Sequence, residues 1–413
     1  MTNAPLQIAV VVAAIMSLGR VSPLPGQAAK GRVKGPDRFT TAWAPVRDFF
    51  HQTLDGEGVV GGAMMFFHGD TIVAREFHGF ADLATKRPVD EQTIFHWASV
   101  TKTFTAVALM QLRERGRFSL DDPVVKYVPE LRAVHDSFGP IESITYRHLL
   151  SHSAGFRNPT WPWGGDQPWH PFEPKEWSQL VAMMPYTEIL FPPGSRFSYS
   201  NPGYIFIGRT IEALSGDDYE AYVEKNVLRP LGMSSSYFDL TPYHLLPNRS
   251  NNYDIRDGKP VANGLDFDTG ITVANGGLNA PLSDMVKYLQ FLAGAPGISV
   301  QARAVLQRST LEEMWRPVVP LWGAEGGSMG LGFFLIEKDG TALVGHTGSQ
   351  RAFRSFFYFD PKTQAGVIAV FNTAPTDDPR NPTDAGPAKP RIGMLFSGLL
   401  SRMTAGVFPI YRR

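Results

Sequence analysis

Residues 99–115, SVTKTFTAVALMQLRER, mark the point where the chain changes periodicity. From Thr101 to Arg115 the apolar side chains Phe104, Val107, Ala108, Met110 and Leu112 recur close to the 3.6-residue repeat of a helix. Upstream the pattern is that of strands. Residues 61–67 and 71–77 are strand-like runs separated by His68-Gly69-Asp70, and a Gly-Asp pair between two such runs predicts a hairpin. Residues 40–55 before them read as an amphipathic helix. Downstream, residues 118–290 mix helical segments with long loops rich in Pro, Gly and Trp; one of the helices is 283–292, with Ser283 placed to cap it. Strand-like sequence returns at 331–337, 341–344, 353–359 and 366–372, with Asp339-Gly340 as a hairpin turn. A Pro-rich link (375–390) leads to a last apolar helix at about 391–408. Its Arg402 argues for packing on a sheet rather than in a membrane. No internal repeat is visible.

Strands at both ends with helices between predict an α/β (α+β) fold. A single antiparallel sheet would be built from both terminal parts of the chain and flanked by helices, with a mostly helical segment inserted into it. The expected organisation is an α/β lobe from about 40–100 and 295–410 and a helical lobe at about 101–294. A site would lie in the cleft between them. The length of 413 residues exceeds what one compact core usually serves. Lys+Arg and Asp+Glu both number 39, which argues against a nucleic-acid partner because that would need a basic stripe. With 43% hydrophobic and 19% charged residues the chain can bury a large core. Forty glycines and 33 prolines imply shaped loops rather than a helical bundle, and the absence of cysteine excludes disulfides, thiolate metal sites and a Cys nucleophile. Residues 8–19, IAVVVAAIMSLG, are too short an apolar run to span a membrane. Followed by Gly26-Gln27-Ala28-Ala29, they read as a signal peptide over 1–29, and hence a periplasmic or secreted protein. The segment before them, MTNAPLQ, carries no Lys or Arg, and a first helix packed on the body is the alternative.

Ser99 and Lys102 are three residues apart at the start of the helix and share a face. A serine hydroxyl is a poor nucleophile until a neighbouring base takes its proton. A lysine can be that base only where desolvation or nearby positive charge lowers its pKa. The plain alternative makes Ser99 a cap and Lys102 a solvated surface residue. Two further stretches weigh against it: Tyr199-Ser200-Asn201, within Pro192–Tyr204, and Gly345-His346-Thr347-Gly348-Ser349 near the C-terminus.

In that order, S-x-x-K, Y-x-N and H-T-G resemble the penicillin-recognising serine hydrolases: class C β-lactamases, D-alanyl-D-alanine peptidases and the esterases of the same fold. Leu120-Asp121-Asp122-Pro123 with Tyr127, His148–Gly155 and Asn275-Gly276-Gly277-Leu278 look like the same family, and the resemblance runs from about residue 45 to 373. It implies a β-lactamase-like hydrolase domain over 40–390. Ser99 would form an acyl-enzyme, and Lys102 and Tyr199 would share the proton transfers. Asn201 would orient Lys102 and the substrate amide. The main-chain N–H groups of Ser99 and Ser349 would form the oxyanion hole, with His346, Thr347 and Gly348 lining the substrate strand. No metal or organic cofactor is implied. The expected partner is a small ester, amide or β-lactam substrate; no nucleic acid or membrane span is expected.

His346 stands where many β-lactamases have Lys. A neutral imidazole pairs less surely with a substrate carboxylate. We therefore expect carboxylesterase-like activity first, then D-alanyl peptidase or D-amino-acid amidase, then β-lactamase. A penicillin-binding sensor acylated without turnover is the non-enzyme alternative. The stretch 161–177, with Trp161, Trp163, Trp169 and Trp177, is either an aromatic wall of the cleft or a loop that buries its own tryptophans. Gly326-Gly327-Ser328-Met329-Gly330 matches a nucleophile elbow, but strand-like sequence follows it where the elbow needs a helix, so a turn entering a strand is the better account. His148 and His152 are spaced like zinc ligands on a helix. Leu149 stands where the metalloprotease glutamate would be, which favours a structural role at a helix end.

Overall fold

In a computed structural model of the chain, residues 37–156, 174–266, 268–321, 327–374 and 392–412 are described, apart from the side chains of 392–394. Residues 1–29, the link at 375–390 and the stretch 161–173 lie outside them. The expectation of a signal peptide falls there, and so does that of an aromatic wall except for Trp177, which opens a short helix and donates to Glu130 Oε1 at 3.2 Å.

The run from Gly61 to Phe67 is buried without a break, because its strand is covered on both faces. That strand, β1 (Gly61–His68), forms a hairpin with β2 (Thr71–Asp82), which pairs in turn with the short β3 (Arg87–Pro88). The C-terminal part of the chain supplies β4 (Val319–Pro320), β5 (Gly327–Met329), β6 (Phe334–Lys338), β7 (Thr341–Gln350), β8 (Phe353–Asp360) and β9 (Ala365–Phe371). All pairs in this sheet are antiparallel, in the order β3-β2-β1-β9-β8-β7-β6-β5-β4. The two terminal parts meet where Gly62 faces Phe371 and His68 faces Ala365.

The period-2 alternation of these strands sorts their side chains into two cores. Met64 and Phe66 of β1, with Val367, Ala369 and Phe371 of β9, pack under helix α1 (Arg38–Glu57) and helix α5 (Ile392–Arg402). Helix α1 contributes Trp43, Val46, Phe50 and Leu54 at helical spacing. Arg402 does not enter a membrane: its guanidinium lies 3.7 Å from the centroid of the Phe49 ring on α1. Among the described residues no helix is long and apolar enough to cross a membrane. Ala63, Met65 and Phe67, with Ile368 and Val370, face the other way, into a larger core shared with helices α2 (Thr101–Glu114), α3 (Asn201–Ser215) and α4 (Leu282–Ala293). The result is the expected α/β arrangement, an antiparallel sheet between helical layers.

Three local expectations need correction. Ser283 is not a cap: α4 starts one residue earlier, directly from the strand Leu278–Pro281, and Pro281 takes the cap position. The strand expected over 341–344 runs on to Gln350, because seven ladder pairs with β8 hold the glycines and polar residues extended. The strand expected from 331 begins at Phe334, since Gly332 takes a positive φ of 89° and its N–H bonds to the Leu150 carbonyl. Gly327–Met329 is itself a short strand paired with β6, which leaves no helix for a nucleophile elbow at Ser328. We expect Phe66→Ala, which empties a fully buried site ringed by Trp43, Phe39 and Phe408, to cost about 3–5 kcal/mol in a denaturant unfolding titration.

Candidate active site

Helix α2 is buried all the way round from Thr101 to Leu112, which makes it the central rod of the helical layer. Its threonines satisfy their hydroxyls locally: Thr101 and Thr103 bond back to the carbonyls of Ala98 and Val100. Lys102 has no such local outlet. Its side chain has no exposed surface, and Nζ donates to Ser99 Oγ at 3.1 Å and to the main-chain oxygen of Asn275 at 2.8 Å. Desolvation, with no carboxylate opposing it, holds the amine's pKa well below that of an ordinary lysine. Ser99 and Lys102 therefore touch, and Lys102 is not a solvated surface residue.

Ser99 sits on a single turn of 3₁₀-helix, Ala98–Val100, ahead of α2. Ala98 has φ of +50°, a conformation costly for a residue with a Cβ, and it turns the partly exposed Ser99 out of its buried surroundings. The turn is pinned from behind, where the Trp97 N–H bonds to Leu278 O at 2.8 Å and its indole to Ala280 O at 2.9 Å. The turn at Asn275-Gly276-Gly277-Leu278 thus both accepts from Lys102 and braces the serine.

Tyr199 comes from the extended stretch before α3, where Ser200 caps the helix by accepting from the Gly203 N–H. Nζ of Lys102 lies 4.9 Å from the centroid of the Tyr199 ring and 5.6 Å from that of Tyr204. Tyr199 keeps some surface open, yet desolvation holds its phenol well above the ordinary value, with a hydrogen bond from the Ser99 side chain working the other way. A lowered amine beside a raised phenol favours the neutral pair over ammonium and phenolate. Asn201 is the first residue of α3, directly after the cap.

The third segment is β7. His346 and Gly348 face inward, while Thr347 is half-buried and Ser349 exposed on the other face. A Cβ on Gly348 would overlap the Trp97 carbonyl oxygen and the Ser355 hydroxyl. The close approach that requires glycine is therefore that of the serine-bearing turn. This contact sets β7 beside Ser99. His346 has no exposed surface, and desolvation together with Lys102 lowers its pKa to about 3. Its Nδ1 lies 2.6 Å from the Thr347 carbonyl, so the proton sits on Nδ1 and Nε2 is left as a buried acceptor with no partner among the described residues.

His152 was not singled out as a site residue, yet it is here. Its ring stacks on Tyr199 with centroids 4.3 Å apart, and its Nδ1 accepts from the Ser200 N–H at 3.0 Å. His148 serves elsewhere: its Nδ1 accepts from the Thr145 N–H in a capping box. Among the described residues no group of three or more His, Cys, Asp or Glu is placed to hold a metal. The only sequence sign of His152 was the stretch 148–155, whose spacing pointed to a helix pair.

Comparison with known proteins supports the fold. The beta-lactamase family model matches residues 46–387. Protein flp of Staphylococcus aureus (strain COL) is 23% identical over 314 residues, covering 76% of this chain and 60% of its own length. The chain thus spans about three-fifths of the length of the curated relatives it first matches. An octameric penicillin-binding protein homologue from Pyrococcus abyssi superposes with a TM-score of 0.68 at 27% identity, over 80% of this chain and 73% of that one. A D-stereospecific amidohydrolase from Streptomyces sp. superposes with a TM-score of 0.64 at 25% identity, over 79% and 94%.

Gly348→Ala should destabilise the protein by about 1–3 kcal/mol, because the new methyl meets a main-chain carbonyl that cannot move aside freely. Thermal unfolding of the variant beside the parent measures it.

Proposed function

The chain belongs to the beta-lactamase family, among the serine hydrolases of that fold, and on that premise we propose that it cleaves ester or amide bonds through an acyl-enzyme on Ser99. The observation that carries this reading is the 3.1 Å contact between Ser99 Oγ and a lysine amine with no exposed surface. A neutral Lys102 takes the Ser99 proton as Oγ attacks the carbonyl carbon. The main-chain N–H groups of Ser99 and Ser349 receive the developing oxyanion. Tyr199, protonated and next to both groups, passes a proton to the leaving alcohol or amine and takes one back from the protonated Lys102. Water then attacks the acyl carbon and gives a proton to Lys102, and Ser99 Oγ leaves and takes that proton up, which frees the acid and returns Ser99. Asn201 orients Lys102 and the substrate.

Carboxylesterase-like activity is the form we rank first. In place of a cation, the third segment presents a buried neutral imidazole covered by Phe334, whose ring centroid lies 4.8 Å away. Beside it Phe197, Val319 and Met329 form a small apolar cluster with Tyr199, Leu321 and Phe334 partly exposed against it. Such an edge favours an uncharged apolar group over a carboxylate. D-Amino-acid amidase or D-alanyl peptidase activity is the second reading, supported by the likeness to the D-stereospecific amidohydrolase; β-lactamase activity comes third. The apolar run at residues 8–19 supports an exported enzyme.

Comparing kcat/KM for p-nitrophenyl butyrate and a chromogenic cephalosporin, each corrected with Ser99→Ala, separates these readings. We expect ester turnover to dominate; the reverse ratio makes the protein a β-lactamase, and one burst of product without steady turnover makes it a sensor. Ser99→Ala should abolish turnover while Ser328→Ala leaves it unchanged, and the opposite result overturns the site. Lys102→Ala should slow acylation about 100- to 10,000-fold. Because the base works only when neutral, kcat/KM should fall as pH drops through the lowered pKa of Lys102 and hold level above it, well below the range of a free lysine.

A further inference from the structure

His152 grips the segment that carries Tyr199 at three points. Its main-chain oxygen accepts from the Ser198 N–H at 2.8 Å, and its Nδ1 accepts from the Ser200 N–H at 3.0 Å. Between these bonds its ring lies against the Tyr199 ring, 28° from parallel. On other sides it meets Tyr204 at 5.0 Å and, edge-on, Phe197 at 5.9 Å between centroids. The backbone is held to suit: His152 has φ of +54°, in the left-handed region that few side chains adopt without a reason. The Ser200 bond makes Nδ1 the acceptor, which puts the proton on Nε2, a buried atom without a partner among the described residues. A solvent-shielded donor left without an acceptor is a cost that a merely space-filling residue would not carry.

We propose that His152 is a positioning residue for Tyr199: by fixing the main chain before and after it and stacking on its ring, it holds the phenol hydroxyl over Ser99 and Lys102. The proposal rests on the role given to Tyr199 in the acyl-enzyme reading. The bracket replaces the rotational freedom a tyrosine next to an extended segment would have, so its loss displaces the proton donor rather than the substrate. The effect should appear in kcat and not in KM.

Two substitutions divide the grip. His152→Phe keeps a ring to stack but cannot accept from Ser200. His152→Asn restores an acceptor close to Nδ1 and tolerates the left-handed backbone, without the ring. With ethyl butyrate, whose alkoxide leaving group needs the proton that Tyr199 gives, we expect His152→Phe to lower kcat about 100-fold with KM within about threefold, and His152→Asn to recover about tenfold of that loss. With Ser99→Ala inactive in the same assay, a kcat for His152→Phe within about threefold of the parent, or a change confined to KM, overturns the positioning role. An active Ser99→Ala would instead remove the acyl-enzyme reading itself.

Discussion

An amine with no water around it has few ways to remain in a protein, and Lys102 uses two of them, one hydroxyl and one main-chain carbonyl. Among the described residues no carboxylate offsets its burial, in contrast to Lys287, whose Nζ is 2.7 Å from Asp284. A carboxylate partner would pin the proton to the amine and leave it useless as a base. The rest of the site can be read as what this uncompensated burial demands. Helix α2 must be enclosed on every side, so the sheet, α3 and the turn at 273–278 close around it. The turn must also offer a carbonyl, which Asn275 does.

Enclosure brings distant parts of the chain together at the site. Glycine at 348 lets β7 lie directly on the serine-bearing turn, and the ladder with β8 keeps that strand straight through its last residues. Tyr199 arrives from the start of α3, held by a helix cap on one side and by His152 on the other. The left-handed Ala98 and His152 sit next to Ser99 and next to the Tyr199 segment, so strained backbone is found at two of the three places where the site's chemistry is mounted.

The patterns that made the sheet and helices legible are those of covered surfaces: the strand-like apolar runs in 61–77 and 353–372 and the helical stripe in 101–115. Where the sequence misled, something other than propensity decided. Gly345-His346-Thr347-Gly348 is a poor strand by composition, and pairing across to Ser355–Tyr358 makes it one. Ser283 has the chemistry of a cap but lies inside α4, because the strand before it enters the helix without a loop. His152 looked like a partner to His148, yet the helix ends at Leu150 and the two rings serve different neighbours. Ser99, Lys102, Tyr199 and the strand from His346 to Ser349 were legible as spaced residue types. The bracket on Tyr199 was not, since it joins His152 to main-chain N–H groups and a ring across a gap of nearly fifty residues.

The seam between β1 and β9 has a consequence for how the molecule comes to exist. Its ladder joins residues about 300 positions apart, such as Gly62 and Phe371, so the middle of the sheet cannot zip until almost the whole chain is present. During synthesis the apolar strand of residues 61–67 must wait with one edge open, a template for association with other chains. Binding by a chaperone, or transport in an unfolded state, would shelter that edge until β9 arrives, and a chain stopped before residue 365 would never close it.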